Sequence, residues 1–479
     1  MKRFFALLLA LLTTGLLSTF AGCTPEGTDK IPQEKEETNT MEQNTSETNQ
    51  PSSNEVPKEP LDLQGYRIII PNNATNRTVE SLVAYELKEI LSELGYQVVV
   101  TEDNNDASIC KEAILLGKTV ATTEETPAGN KYSVSEKNGT VQISAGTYYG
   151  YRRAISDIKK KILDKDGFPR DISYTSTATV TNVERATEES VRVMYYNVFG
   201  FTWWIGSSAP PIALRQALQH GLIEAYDPDV LGCQEYMTDT YYPTFHATLS
   251  QLGYTEISTS DGTRNHTPLF YKADRLDLVE SGYMRYTYDH PEGAGKSITW
   301  GVFRVKETGK LFSVFNTHFI HDENTVRDEE RAHNAGELLA LMNSVVARHN
   351  GLPAFLGGDL NFWNVWKNYD TESSRKPYEA LINGGVTLVS NISGVETNFW
   401  TSSKTSGYTN SYHGYFKYDA DKRIYDVTKR NISSPYTLDH VFLGGNKNGV
   451  TVKRHFIIED DLTLRASDHS PILIDFVLK

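Results

Sequence analysis

Residues 354–363 read AFLGGDLNFW. The first half is apolar and has the length of a buried strand; it then runs through two glycines into Asp359 and, after one intervening residue, Asn361. A carboxylate at the end of a buried strand is costly unless something nearby satisfies it. Two readings follow. An Asx turn can close the strand, as Asp and Asn commonly do, or the pair can serve a metal or phosphate site. The rest of the chain has to choose between them.

From Val191 onward the same pattern recurs. Strand-like runs appear as VRVMYYNV, DVLGCQE, TPLFYKA, LDLVESGYMRY, ITWGVFRVK, LFSVFNTHF, PAFLGGDLN, LDHVFLG, VTVKRHFII and SPILIDFVL, with helical runs over 209–226, 238–252 and 324–348. Many strands with few crossover helices predict an α+β sandwich, sheets inside and helices outside, rather than a doubly wound parallel fold. Polar residues follow or interrupt these strands: Asn197, Glu235, His318, Asp359 with Asn361, Asp439, and Asp468 with His469. If the four carboxylates converge they repel one another and their pKa values rise. A divalent cation resolves that, and hard oxygen donors suit Mg²⁺ or Mn²⁺. His318 and His469 read as acid/base or phosphate-contacting groups rather than ligands.

The ordered set YYNVF, DVLGCQEY, FNTHF, GGDLNFW, LDHVFL and ASDHSPILIDF resembles the motifs of the endonuclease/exonuclease/phosphatase superfamily, the deoxyribonuclease I-like fold. The resemblance covers about residues 191–479 and implies a four-layered α/β-sandwich that cleaves phosphoric esters by in-line attack of water. It implies a metal held by Glu235 with Asn197 beside it and completed or supported by Asp468. Asp359 would orient or deprotonate the water, and Asn361 would hold that water or a phosphate oxygen. His469, paired with Asp439, would contact the phosphate or act as acid/base; His318 would bind phosphate or protonate the leaving oxygen. Two positions depart from the pattern. Asn265 stands where many relatives have a Glu, and Lys296 stands where many have an Arg, which keeps the charge and loses the bidentate fork. Arg331 and His413, the latter in the YHGYF run of residues 412–416, match a frequent Arg and a His-Gly turn of relatives and are candidates for phosphate contact; a solvated helix face is the other reading of Arg331.

The chain has 479 residues, 39% of them hydrophobic, enough for more than one core. Residues 191–479 carry 27 Lys and Arg against 33 Asp and Glu, so −6 of the net −14 sits there and −8 upstream. No basic stripe suggests tight nonspecific grip on nucleic acid. At the start, Lys2 and Arg3, a short apolar run and FAGC predict a secretory signal over 1–23 with a lipobox that leaves a lipid on Cys23. The expected location is the extracellular side of a bacterial cell membrane. Residues 24–60 are polar and low in large apolar residues, a flexible spacer. Residues 61–185 read as a small α/β domain, strand–helix–strand–strand–hairpin–helix, with the hairpin on Asn138-Gly139. That order resembles the non-catalytic domain preceding the barrel of bacterial hexosaminidases and α-glucuronidases. Tyr148, Tyr149 and Tyr151 could offer a sugar-binding face or belong to the core. A nucleic acid, a phospholipid head group and an inositol phosphate all remain open as substrates; FTWWIG at residues 201–206 is the nearest candidate for lipid contact, with packing as the other reading. The competing function is a surface glycan-binding lipoprotein whose large domain is inactive.

Overall fold

The structure, a computed structural model, describes residues 58–72, 77–180, 182–200, 210–236, 244–257, 265–287, 296–321, 325–362, 372–398, 411–419, 424–430, 437–458 and 463–479. The segment expected as signal and lipobox with Cys23, most of the 24–60 spacer, the FTWWIG run and Trp363 lie outside these residues.

Six strands build the N-terminal sheet, in the spatial order Val99–Glu102, Arg67–Ile70, Ala113–Leu116, Thr140–Ala145, Tyr132–Lys137 and Ser173–Thr175. The hairpin turns on Asn138 and Gly139, both left-handed (φ 54° and 82°), as its sequence predicts. Helices Arg77–Glu93 and Tyr148–Lys165 place Leu82, Leu87, Tyr148 and Ile155 in the core of this lobe. Tyr148, Tyr149 and Tyr151 are all buried, so the sugar-binding face they could have formed is absent. Strand Ser173–Thr175 closes one edge of this sheet, pairing antiparallel with Tyr132–Lys137.

The second lobe is a sandwich of a seven-stranded and a six-stranded sheet. Period-two alternation decides the layers. Val191, Val193 and Tyr195, Ile472, Ile474 and Phe476, Phe312 and Val314, Phe355, and Val441 and Leu443 meet between the sheets. The alternate residues face outward. Met194, Tyr196 and Leu473 share a cluster with residues of helices Ile212–Tyr226 and Thr244–Gln251. Phe315, Ala354, Leu356 and Phe442 share one with residues of Thr325–Arg348 and Glu372–Asn383. Helix, sheet, sheet, helix is the four-layered α/β-sandwich expected. The helix Glu372–Asn383 is not legible in the sequence, because Pro377 inside it reads as a breaker.

Burial on both faces leaves the central strands no room for error, and the two glycines of the opening stretch show why they are there. A Cβ on Gly357 would lie 2.9 Å from the Tyr195 ring across the sandwich. Gly358 has φ +130°, and a Cβ there would lie 2.0 Å from the Thr317 carbonyl oxygen on the neighbouring strand. Gly358→Ala is therefore expected to cost on the order of 2–4 kcal/mol, more than Gly357→Ala, which needs no left-handed backbone and whose nearest atoms, in the Tyr195 ring and the His440 carbonyl, lie 2.9 and 3.0 Å away. Urea unfolding of the two variants checks the order; equal losses would contradict it.

Candidate active site

Strand register assembles the site. Strands Leu311–His318 and Pro353–Asp359 run parallel with His318 opposite Asp359, and Pro353–Asp359 pairs antiparallel with Asp439–Gly445 so that Asp359 is opposite Asp439. His318, Asp359 and Asp439 thus form one row at one end of the six-stranded sheet. Each lies an even number of residues from the inward Val314, Phe355 and Val441, so parity turns all three toward the other sheet. There Asn197, in phase with Val193 and Tyr195, ends the strand Val191–Asn197 opposite Gln234. The same parity sends His440 outward, where it stacks on Phe362 at 4.6 Å.

Glu235 breaks the alternation. Gln234 takes the inward place, its Nε2 donating to Asn316 Oδ1 at 2.6 Å. Glu235 follows with a left-handed backbone, φ 55°, which ends the strand and brings its carboxylate back to Asn197, whose Nδ2 donates to Glu235 Oε1 at 3.2 Å and to Asp359 Oδ2 at 3.0 Å. Asn361 is left-handed too (φ 49°), and its backbone N–H donates to Asp359 Oδ1 at 3.1 Å. That is the Asx turn of the first reading. Its side chain goes elsewhere: Nδ2 contacts His318 Nε2 and the Phe319 carbonyl, each at 3.0 Å. The two readings of residues 354–363 are therefore compatible.

His469 enters from the turn before strand Ile472–Leu478. Its Nδ1 is 2.7 Å from Asp439 Oδ2 and its Nε2 3.7 Å from Asp359 Oδ2, the same oxygen from which His318 Nε2 is 3.4 Å away. Glu235, His318 and Asp359 can bring ligand atoms together, as can Asp359, Asp439 and His469. The histidines thus stand closer to the carboxylates than their sequence contexts imply.

Burial and neighbouring charge set the protons. Burial, with Asp439 beside it, pushes Asp359 up to about 6 against the pull of His469 and Lys296. Burial also pushes Asp468 up to about 7, opposed by His469 and reinforced by Glu235. Burial, then Lys296 and His469, holds His318 well below the usual imidazole range, so Asn361 donates to an unprotonated Nε2. Burial opposes charge on His469 as well, but Asp439 and Asp359 outweigh it and hold that imidazole well above its ordinary range. Both imidazoles reach one carboxylate oxygen, and their surroundings push their pKa values in opposite directions.

The remaining candidates lie near this cluster in different ways. Lys296 lends charge to both Asp359 and His318. His413 is buried in a segment bridged to the His469 turn, its N–H donating to the Asp468 carbonyl at 3.0 Å and its Nδ1 2.7 Å from the Gly414 carbonyl. Arg331 is buried rather than on a solvated helix face; it pairs with Asp328 and donates to the Ile320 carbonyl at 2.8 Å, two residues past His318. Asn265 donates to Thr299 Oγ1 at 2.9 Å and accepts from the Thr267 N–H.

Two residues inside the quoted motifs, Ser467 and Asn316, and Ser411 just before the YHGYF run matter more than their sequence showed. Ser467 Oγ donates to the Asn197 carbonyl at 2.7 Å and receives the His469 N–H, tying two motifs together. Asn316 Nδ2 reaches the Cys233 carbonyl at 2.8 Å from the opposite sheet. Ser411 Oγ takes the N–H of Asp439 at 3.0 Å. All three are ordinary polar residues whose partners are distant in sequence, so nothing local marks them.

The carboxylates fit a hard divalent cation, gathered where burial raises the pKa of two of them; Asn197 turns its Nδ2 toward them while its Oδ1 accepts the Phe199 N–H at 3.0 Å. Between about pH 4 and 7 the folded cation-free protein binds more protons at Asp359 and Asp468 than the unfolded chain, so stability at these groups falls as pH rises through that window. A cation held by these carboxylates would supply the compensating charge that the protons supply without it. Mg²⁺ is accordingly expected to raise the thermal midpoint more at pH 8 than at pH 5, with the increment shrinking in Asp468→Asn. A shift independent of pH would contradict this.

No family model matches the chain, and no curated protein matches it. Among solved structures, an endonuclease/exonuclease/phosphatase family protein of Bacteroides thetaiotaomicron is similar at 21% identity, covering 60% of this chain and 98% of that one, with a TM-score of 0.44. A mannosyl-6-phosphatase of Bacteroides thetaiotaomicron is similar at 20% identity, over 60% and 100% of the two chains, with a TM-score of 0.44. The human Nocturnin catalytic domain is similar at 21% identity, over 61% and 96%, with a TM-score of 0.43.

Proposed function

We propose that residues 191–479 form a Mg²⁺-dependent phosphoesterase, with Mn²⁺ as an alternative ion, that hydrolyses a phosphodiester or phosphomonoester. What carries the reading is the convergence on Asp359: His318 and the His469–Asp439 pair at one of its oxygens, and Asn197 with Glu235 across the sandwich. In this reading Glu235, Asn197 and Asp468 hold the cation, which when bound neutralises charge on phosphoryl oxygens. Asp359, raised into the range where a carboxylate is a useful base near neutrality, accepts the proton of the attacking water. Asn361 fixes His318 and the strand end, and so the direction of that water. His469, its Nδ1 occupied by Asp439, presents Nε2 to a phosphoryl oxygen and can supply a proton to the leaving group. Lys296 adds positive field; Arg331 and His413 would act by holding the segments beside His318 and His469. The substrate class stays with nucleic acid, a phospholipid head group or an inositol phosphate.

The signal, the lipobox Cys23 and the polar spacer support display on the outer face of a bacterial membrane. No helix among the described residues is long and apolar enough to cross a membrane.

Hydrolysis of bis(p-nitrophenyl) phosphate is expected with Mg²⁺ and lost with EDTA, and His469→Ala or Asp359→Ala should lower kcat/KM by at least ~100-fold. Undiminished turnover in EDTA would exclude the metal dependence. No turnover on any phosphodiester or phosphomonoester would favour the glycan-binding alternative.

A further inference from the structure

The turn that carries Asp468 and His469 does not stand on the sandwich alone. It follows the short helix Thr463–Ala466, and Ala466 and the half-buried Leu464 pack into the apolar cluster that holds Leu82, Leu87 and Tyr148 of the N-terminal lobe. Between them Arg465 is buried, with Nε 3.4 Å from Glu86 Oε1. Glu86 belongs to helix Arg77–Glu93 and is only 5% exposed. It accepts the Tyr148 hydroxyl at 2.6 Å and Arg152 Nη1 at 2.8 Å. One carboxylate of the N-terminal lobe thus serves two arginines, one from its own lobe and one from the helix that leads into the site.

From Arg465 the connections continue to the reacting groups. Gln219 Nε2 donates to the Ala466 and Val198 carbonyls, each at 2.9 Å. Ser467 Oγ bonds the Asn197 carbonyl and receives the N–H of His469. A four-residue helix cannot hold its own direction in water. Apolar packing would suffice to glue two lobes together, but it is not directional. A buried carboxylate shared by two guanidinium groups and a phenol is costly to desolvate and fixes an orientation. The lobes approach closely enough because Gly221 has no side chain: a Cβ there would lie 2.3 Å from Tyr149 Cδ2.

We infer that the N-terminal lobe is a positioning element of the catalytic centre, with Glu86, Tyr148 and Arg465 acting as positioning residues that set the place of His469. The inference rests on His469 being a catalytic group of the phosphoesterase proposed above.

The test uses the folded protein from residue 58 onward with Mg²⁺ and bis(p-nitrophenyl) phosphate, comparing Arg465→Met, Arg465→Lys and Tyr148→Phe. Thermal unfolding is followed in parallel, together with ¹H–¹⁵N spectra of protein labelled at histidine. Arg465→Met should lower kcat by about tenfold with KM within about twofold, because displacement of a reacting group acts on the chemical step. It should also move the His469 Nδ1–H resonance. Arg465→Lys should recover part of the rate, and Tyr148→Phe should give a smaller loss of the same kind. A folded Arg465→Met with wild-type kcat and a wild-type His469 resonance overturns the inference. Should Arg465→Met fail to fold, Tyr148→Phe decides by the same two readouts. Absence of phosphoesterase activity in the wild type would sink the functional reading alone, since the His469 resonance still reports whether the lobe positions that ring.

Discussion

Asp359 is buried against two imidazoles, with Asp439 beside it and Glu235 and Asp468 near enough to affect its proton. So much negative charge in one dry place has to be balanced on site, and the surrounding chain is arranged to do it. His469 is charged because Asp439 and Asp359 make it so; His318 is neutral because burial, Lys296 and His469 keep it so. Removing any one of these groups alters the protonation of the others, so the cluster behaves as a unit rather than as a sum of residues.

In the strands that carry the cluster, the backbone meets this requirement by departing from regular geometry at the strand ends. Phe199, Glu235 and Asn361 all have left-handed backbones, and Gly358 has φ +130°. Each occurs within two residues of a group in the cluster. Regular alternation would have carried Glu235 away from Asn197; the left-handed turn returns it. Deeper in the same strands the pairing keeps its register, and Asn316 and Gln234 form a polar tie between the sheets just beneath the carboxylates. Rigidity below and irregularity at the rim are the division that a preorganised site needs.

Much of this was legible in the sequence because it was written in alternation. The apolar residues of VRVMYYNV, LFSVFNTHF and PAFLGGDLN show which side chains face the second sheet, and counting by twos from Val193, Val314 and Phe355 leads to Asn197, His318 and Asp359. The ordered motifs then made the convergence readable before any coordinates. Register was not readable: nothing local says that His318 stands opposite Asp359 and Asp359 opposite Asp439. Nor were the roles of Ser467 and Ser411, whose partners are distant in sequence. For the tyrosines at 148, 149 and 151 the sequence offered a sugar-binding face or the core, and burial decides for the core, with the helix carrying Gly221 laid against Tyr149.

Strand Val191–Asn197 is the first of the sandwich, yet its neighbour on one side is Ile472–Leu478. The bidentate pair that welds them, Arg192 with Asp475, joins residues 283 positions apart. During synthesis the earlier strand therefore emerges long before that partner, with an apolar face on both sides and one unpaired edge. Pairings so far apart in sequence form slowly, and an open apolar edge invites other chains in the meantime. The pairing that closes this edge is thus available only once Ile472–Leu478 has been made.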